Sequence, residues 1–161
     1  MEVQEKVEKW LRQMKFTISN TPNAKEYYNV TVSPPPPAQF PILQVIIPEQ
    51  SSPFVLILMG VGIHPQHVKG VKDMNDSERG KFLNDIKYTL LRMNVDFTFI
   101  PPQDVIPQAI SVSKSVYTDG LTMDRFFDVF TLVRNAGLYI ITKFTEQFGN
   151  PPPLRGDIKY V

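Results

Sequence analysis

The chain holds two histidines and no cysteine. His64 and His67 stand together in His-Pro-Gln-His, and neutral imidazole is the commonest protein ligand for zinc and related metals. A zinc site there needs a third ligand, such as Asp73 or Asp76. The spacing is not the helical His-Glu-x-x-His arrangement, and Pro65 opposes a helix that begins before it. The pair is therefore expected in a loop, with solvated imidazoles. His64 and His67 stay as the only metal candidates, and no catalytic residue or cofactor is expected. The missing cysteines exclude disulfides, thiolate metal sites and cysteine nucleophiles.

Other strings look chemical and dissolve on inspection. Ser111-Val-Ser-Lys114 matches the Ser-x-x-Lys of serine acyl-enzymes, whose lysine must lie near the serine hydroxyl. On a strand, residues three apart point to opposite faces, and this segment alternates as a strand does. Gly60-Val-Gly62 lacks the third glycine and the Gly-Lys-Ser/Thr of a phosphate loop. Asp124 and Asp128 share a helical face, but acids in a first turn complement the helix dipole. Lys69, Lys72, Arg79 and Lys81 form a modest basic cluster diluted by Asp73, Asp76 and Glu78. The sequons at Asn29 and Asn75 and the Arg155-Gly156-Asp157 tripeptide carry no weight without secretion. Pro34 to Pro37 would suit an aromatic groove, but they sit between two strands and read as a rigid connection.

These residues need a scaffold, and 161 residues fit one domain. The reading is a single domain over 1–150 with a tail over 151–161. Seventeen basic against sixteen acidic residues leave a net charge of +1, without the footprint of a dedicated nucleic-acid binder. The first sixteen residues are charged and periodic, unlike a signal peptide. The longest apolar run, Phe54 to Ile63, is about half of what a membrane-spanning helix needs. No nucleic-acid or membrane partner is expected, and the location expected is cytoplasmic.

The periodicity sets the elements. Val3, Val7, Trp10, Leu11 and Met14 mark an amphipathic helix over 2–15. Alternation then gives strands at Phe16–Ile18, Tyr28–Val32, Ile42–Ile47 and Phe54–Gly62. The fourth is apolar on both faces, which places it centrally. Residues 64–74 break the pattern and read as a loop. Asn75 and Glu78 have capping-box spacing and open a second helix with Leu83, Ile86, Leu90 and Met93 on its buried stripe. Val95–Phe99 and Ile110–Val116 are two more strands. A long helix runs from a Thr122 cap to Phe148, with Gly149 as its left-handed stop. Its apolar residues go nearly all the way round, so they exceed what one sheet face covers. In the tail, Ile158, Tyr160 and Val161 alternate enough to add an edge strand. The order α-β-β-β-β-α-β-β-α has strands in consecutive runs. That argues for an α+β fold, an antiparallel sheet packed by helices.

That element order resembles type III secretion chaperone-like domains and the related YbjN-like proteins, and the chain is similar to a small uncharacterised archaeal family near them. The likeness lies in the Val3-Val7-Trp10-Leu11 helix, the Leu43–Ile47 and Phe54–Met59 strands, and the Leu83–Met93 and Phe126–Phe148 helices. It covers nearly the whole chain by pattern, without a diagnostic motif. The chain departs in having four strands before its second helix instead of three, and in lacking acidic character. The resemblance implies a homodimer that binds segments of other proteins, and transfers no binding residue. The function expected is thus a non-catalytic, chaperone- or adaptor-like homodimer. The alternative is a small metal-dependent enzyme using His64 and His67.

Overall fold

A computed structural model describes residues 1–153. Among these residues the expected α+β fold is present, as a six-stranded antiparallel sheet with four α-helices. Helix α1 (Val3–Gln13) is followed by β1 (Thr17–Asn20), β2 (Tyr28–Ser33), β3 (Leu43–Ile47) and β4 (Phe54–Gly62). Then come α2 (Pro65–Asp73), α3 (Asp76–Arg92), β5 (Asp96–Ile100), β6 (Ala109–Tyr117) and α4 (Met123–Phe148). The strand order is β1-β2-β3-β4-β6-β5, so the doubly apolar β4 is internal, as its sequence requires. The expected tail strand at Ile158, Tyr160 and Val161 lies outside the described residues.

The chain groups into two compact units. The first comprises Met1–Met59 with Ser113–Arg134. Its sheet is in register through Ile18↔Val32, Val30↔Val45 and Val45↔Ile57. These residues line one face, and Val30, Val32, Val45 and Ile57 are buried. Helix α1 lies on that face, because the Tyr28 hydroxyl donates to the Glu8 carboxylate at 3.0 Å. The start of α4 joins it through ring contacts of Trp10 with Phe126 and of Phe16 with Phe130. Val7, Leu11, Phe126 and Val133 are fully buried in this layer, and burying a side chain of this size contributes about 1.5–3 kcal/mol.

The second unit comprises Gly60–Val112 with the stretch from Asn135 onward. Here α3 begins as expected, the Asn75 side chain accepting from the Glu78 N–H at 2.9 Å. It buries Phe82, Leu83, Ile86 and Leu90. Asn94 takes positive φ after the helix, and Gly149 does so after α4.

Two expectations need correction. Residues 65–73 are a helix, not a loop. Pro65 occupies its first turn, where a missing N–H costs nothing. The surplus of apolar surface on α4 is also smaller than its composition suggests. Phe126, Val129, Phe130, Val133, Ala136, Ile140 and Phe144 are buried, and no large apolar residue of the helix is among the exposed ones. Half-buried rings cover one another instead: Phe127 lies against Phe16 and Phe130.

Candidate functional site

Both histidines belong to the start of α2, His64 just before it and His67 within it, in the second unit. They are 5% and 4% exposed, so the solvated imidazoles expected from sequence are in fact buried. His64 is the N-cap of the helix, its Nδ1 accepting the Gln66 N–H at 3.0 Å. A backbone N–H can only donate, so Nδ1 carries the lone pair and Nε2 the proton. That Nε2–H faces the Pro152 carbonyl at 3.1 Å. His67 directs its own Nε2 at the Gly149 carbonyl, 2.8 Å away, and a carbonyl can only accept, so this nitrogen is also the protonated one. The two rings thus hold the chain that follows α4.

The surroundings of His67 are aromatic. Its ring stacks on Phe144 with centroids 6.0 Å apart, and Phe148 lies at 5.7 Å. Phe82 of α3 meets both phenylalanines edge-on. One turn after His67 is Gly70. A Cβ built there would lie 2.5 Å from Cδ1 of Phe148, so the missing side chain makes room for that ring.

For metal chemistry this arrangement offers little. Both Nε2 atoms point at carbonyls and Nδ1 of His64 caps a helix. Among the described residues, no group of three or more histidines and carboxylates is placed to hold a metal ion. Asp73, offered as a third ligand, pairs instead with Lys69 at 2.9 Å, and Asp76 pairs with Arg79 at 3.0 Å. The hydrogen bond to Asp73 raises the Lys69 pKa.

A second arrangement had no clear signal in sequence. Arg79 is a member of the basic cluster by composition, yet its side chain is only 14% exposed. Its Nε donates to the Val71 carbonyl at 3.0 Å, and one terminal nitrogen reaches the carbonyls of Lys72 and Met74 at 2.8 and 2.6 Å. A guanidinium that spans three carbonyls caps the C-terminus of α2, where a cation also complements the helix dipole. The only hint was position: Arg79 lies one turn into the next helix, within reach of the preceding helix end. With Arg79 and Lys69 engaged, the basic cluster loses two of its four cations as a binding patch.

The remaining sequence candidates are scattered. Ser111 and Lys114 lie on β6 at opposite parity. Gly60 and Gly62 are inside the end of β4, and Asp128 pairs with Arg125 at 3.3 Å. Pro34 to Pro37 open the connection between β2 and β3.

Residues 3–144 match the family model described as an uncharacterized conserved protein (DUF2299). The chain belongs to this family. It is also similar to a solved structure, that of an uncharacterized protein from Methanothermobacter thermautotrophicus, at 25% identity and a TM-score of 0.80. The alignment covers 91% of this chain and 99% of that one. No curated protein matches the sequence. Among the described residues, no helix is long and apolar enough to cross a membrane.

Proposed function

We propose that this member of the family is a non-catalytic protein-binding module that works as a cytoplasmic homodimer. The observation that carries the binding role is in the second unit. Tyr88 and Leu91, 55% and 62% exposed, stand one turn apart on α3. Helix α3 packs beside β5, the last strand of the sheet, and Ile100 at the end of β5 is exposed as well. Exposed apolar side chains on a helix that borders an edge strand suit an extended segment of another protein. Such a segment adds main-chain hydrogen bonds along the strand and sets its own apolar side chains against the helix. The engagement of both histidines in backbone contacts favours this role over a metal-dependent enzyme.

The test is a comparison of the wild-type chain with a Tyr88→Glu, Leu91→Glu double variant. Both are used to capture proteins from the native cell, and each captured protein is then purified and titrated by calorimetry. A partner bound by the wild type and weakened at least about tenfold by the variant supports the proposal. Equal affinity for both chains refutes this surface.

A further inference from the structure

Strand β5 is the last of the sheet, so one of its sides has no strand beside it among the described residues. The Ile100 carbonyl accepts the Gln108 N–H at 2.7 Å, on the side of β6. Backbone groups of successive residues point to alternate sides of a strand. Asp96, Thr98 and Ile100 therefore bond toward β6, and the N–H and C=O groups of Phe97 and Phe99 are presented at the free side. Side chains alternate between the two faces in the same way. Phe97 and Phe99 share the face toward α3, their ring centroids 6.1 Å apart, and the Lys87 ammonium lies 5.0 Å from the centre of the Phe99 ring. Asp96 falls on the opposite face. All of these residues belong to the second unit.

Lys87 is half-buried, and among the described residues no carboxylate pairs with it. Asp85 is two positions away on α3, a spacing that turns it to the other flank, where the Tyr139 hydroxyl of α4 reaches its carbonyl at 3.5 Å. Leu91, one turn from Lys87 and 62% exposed, continues the flank that borders β5. At Gly80, two turns before Lys87, an added Cβ would meet nothing within 4 Å. This flank thus combines one cation, one exposed aliphatic and open space, without an acid.

We infer that the free side of β5 takes an extended segment of another protein with an acidic and an apolar residue two positions apart. The inference rests on the strand addition proposed above and names the chemistry of the segment. Antiparallel pairing is the stabler arrangement. In it the residues opposite Phe99 and Phe97 exchange both backbone hydrogen bonds with them, and their side chains stand on the same face as the two rings. The chain turns back from α3 to β5 through Met93, Asn94 and Val95, so Leu91 lies toward Phe97 as Lys87 lies toward Phe99. The residue opposite Phe99 supplies the carboxylate for Lys87, and the residue opposite Phe97 supplies an aliphatic for Leu91. Read in its own direction, the segment is acidic-x-apolar. A half-buried cation attracts a carboxylate more strongly than one in open water does. A second copy pairing through its own β5 brings Phe97 or Phe99 to that place, and neither answers Lys87.

Amide NMR of the full chain, titrated to millimolar concentration with two probe peptides, tests this. The probes are acetyl-Thr-Ser-Glu-Thr-Leu-Thr-Ser-amide and the same peptide with lysine in place of glutamate. The amide protons of Phe97 and Phe99 are expected to move downfield as they gain hydrogen bonds, and that of Thr98 to move less. At low salt the glutamate probe is expected to bind about tenfold tighter than the lysine probe, a ratio that shrinks as salt is added. Lys87→Gln is expected to bring the two probes within about twofold, and Lys87→Arg to keep the preference. Far-UV circular dichroism verifies that both variants are folded. Equal affinity for the two probes, with the Phe97 and Phe99 signals moving, refutes the acidic residue and leaves strand addition standing. Signals that move on α3 alone refute the edge. No movement on α3 or β5 with either probe refutes this inference together with the surface proposed above. Phe97 and Phe99 signals that move with protein concentration alone assign the edge to a second copy and overturn the inference.

Discussion

Gly70 and Gly80 make a matched pair of perturbations. Both are interior to helices, α2 and α3 respectively. Replacing either by alanine removes the backbone entropy penalty of glycine and favours the helix by about 0.8–1 kcal/mol. The surroundings then separate them. At Gly80 the new Cβ meets nothing within 4 Å, so the propensity gain stands. At Gly70 it lies 2.5 and 2.7 Å from Cδ1 and Cε1 of Phe148. The ring must retreat by about 1 Å to reach ordinary contact, and it is hemmed by His67 at 5.7 Å and Phe82 at 5.5 Å. Overpacking of this kind costs about 1–3 kcal/mol, and swinging the ring out instead forfeits aromatic pairs worth about 0.5–1.5 kcal/mol each. Gly80→Ala should therefore stabilise by up to about 1 kcal/mol. Gly70→Ala should leave the chain up to about 2 kcal/mol weaker. In a chain of this length about 1 kcal/mol moves the melting temperature by roughly 2–4 °C. Urea denaturation followed by circular dichroism reads the difference directly. In a Phe148→Ala background the clash is gone, and Gly70→Ala should turn stabilising like its counterpart. Equal shifts for the two alanines in the wild-type background would refute the packing argument.

Arg79→Ala should destabilise the chain by about 2–4 kcal/mol in urea denaturation, because three carbonyls lose a charged donor. Arg79→Lys should recover less than half, since a single ammonium cannot span them, whereas Lys81→Ala should stay within about 0.5 kcal/mol. His67→Phe keeps a ring on Phe144 but loses the hydrogen bond to the Gly149 carbonyl, so it should cost about 0.5–1.5 kcal/mol, and His67→Ala more, by the cavity it leaves. Burial, and next the Glu8 carboxylate, push the Tyr28 pKa above its ordinary value, so folding favours the neutral phenol. Its contribution is complete below about pH 10, the unfolded value, and is lost as pH climbs from there through the raised folded value. Melting temperature should thus fall more steeply above pH 10 in the wild type than in Tyr28→Phe.

Where local chemistry is strong, the sequence and the fold agree. Phe54–Gly62 is apolar at every position but its glycines, and it is an internal strand over those same residues. Gly149 suits the stop of α4, where φ is +81°. Helix α2 escaped notice because its buried stripe is not apolar in composition. Its buried residues are His67 and Val71, and Gly70 faces the Phe148 ring, so a histidine and a glycine stand where aliphatics are expected. Its cap is an imidazole, outside the usual Ser, Thr, Asp and Asn set. The histidines read as solvated loop imidazoles because the partners of their Nε2 atoms lie far off in the chain. Those partners are carbonyls some 82 and 88 residues away, and pairings of that separation leave no trace in local spacing. The apolar excess on α4 was overestimated for a similar reason: periodicity counts oily positions, but not the rings from elsewhere in the chain that shield them.

The fork of Arg79 joins two helices at a single side chain. Nine residues in isolation are too few for a helix to persist in water. Helix α2 is therefore on loan from α3, whose second turn supplies the group that closes its last carbonyls. Backbone amides of the shorter helix should exchange with deuterium only when that turn of the longer one opens, so the pair breathes as one cooperative block.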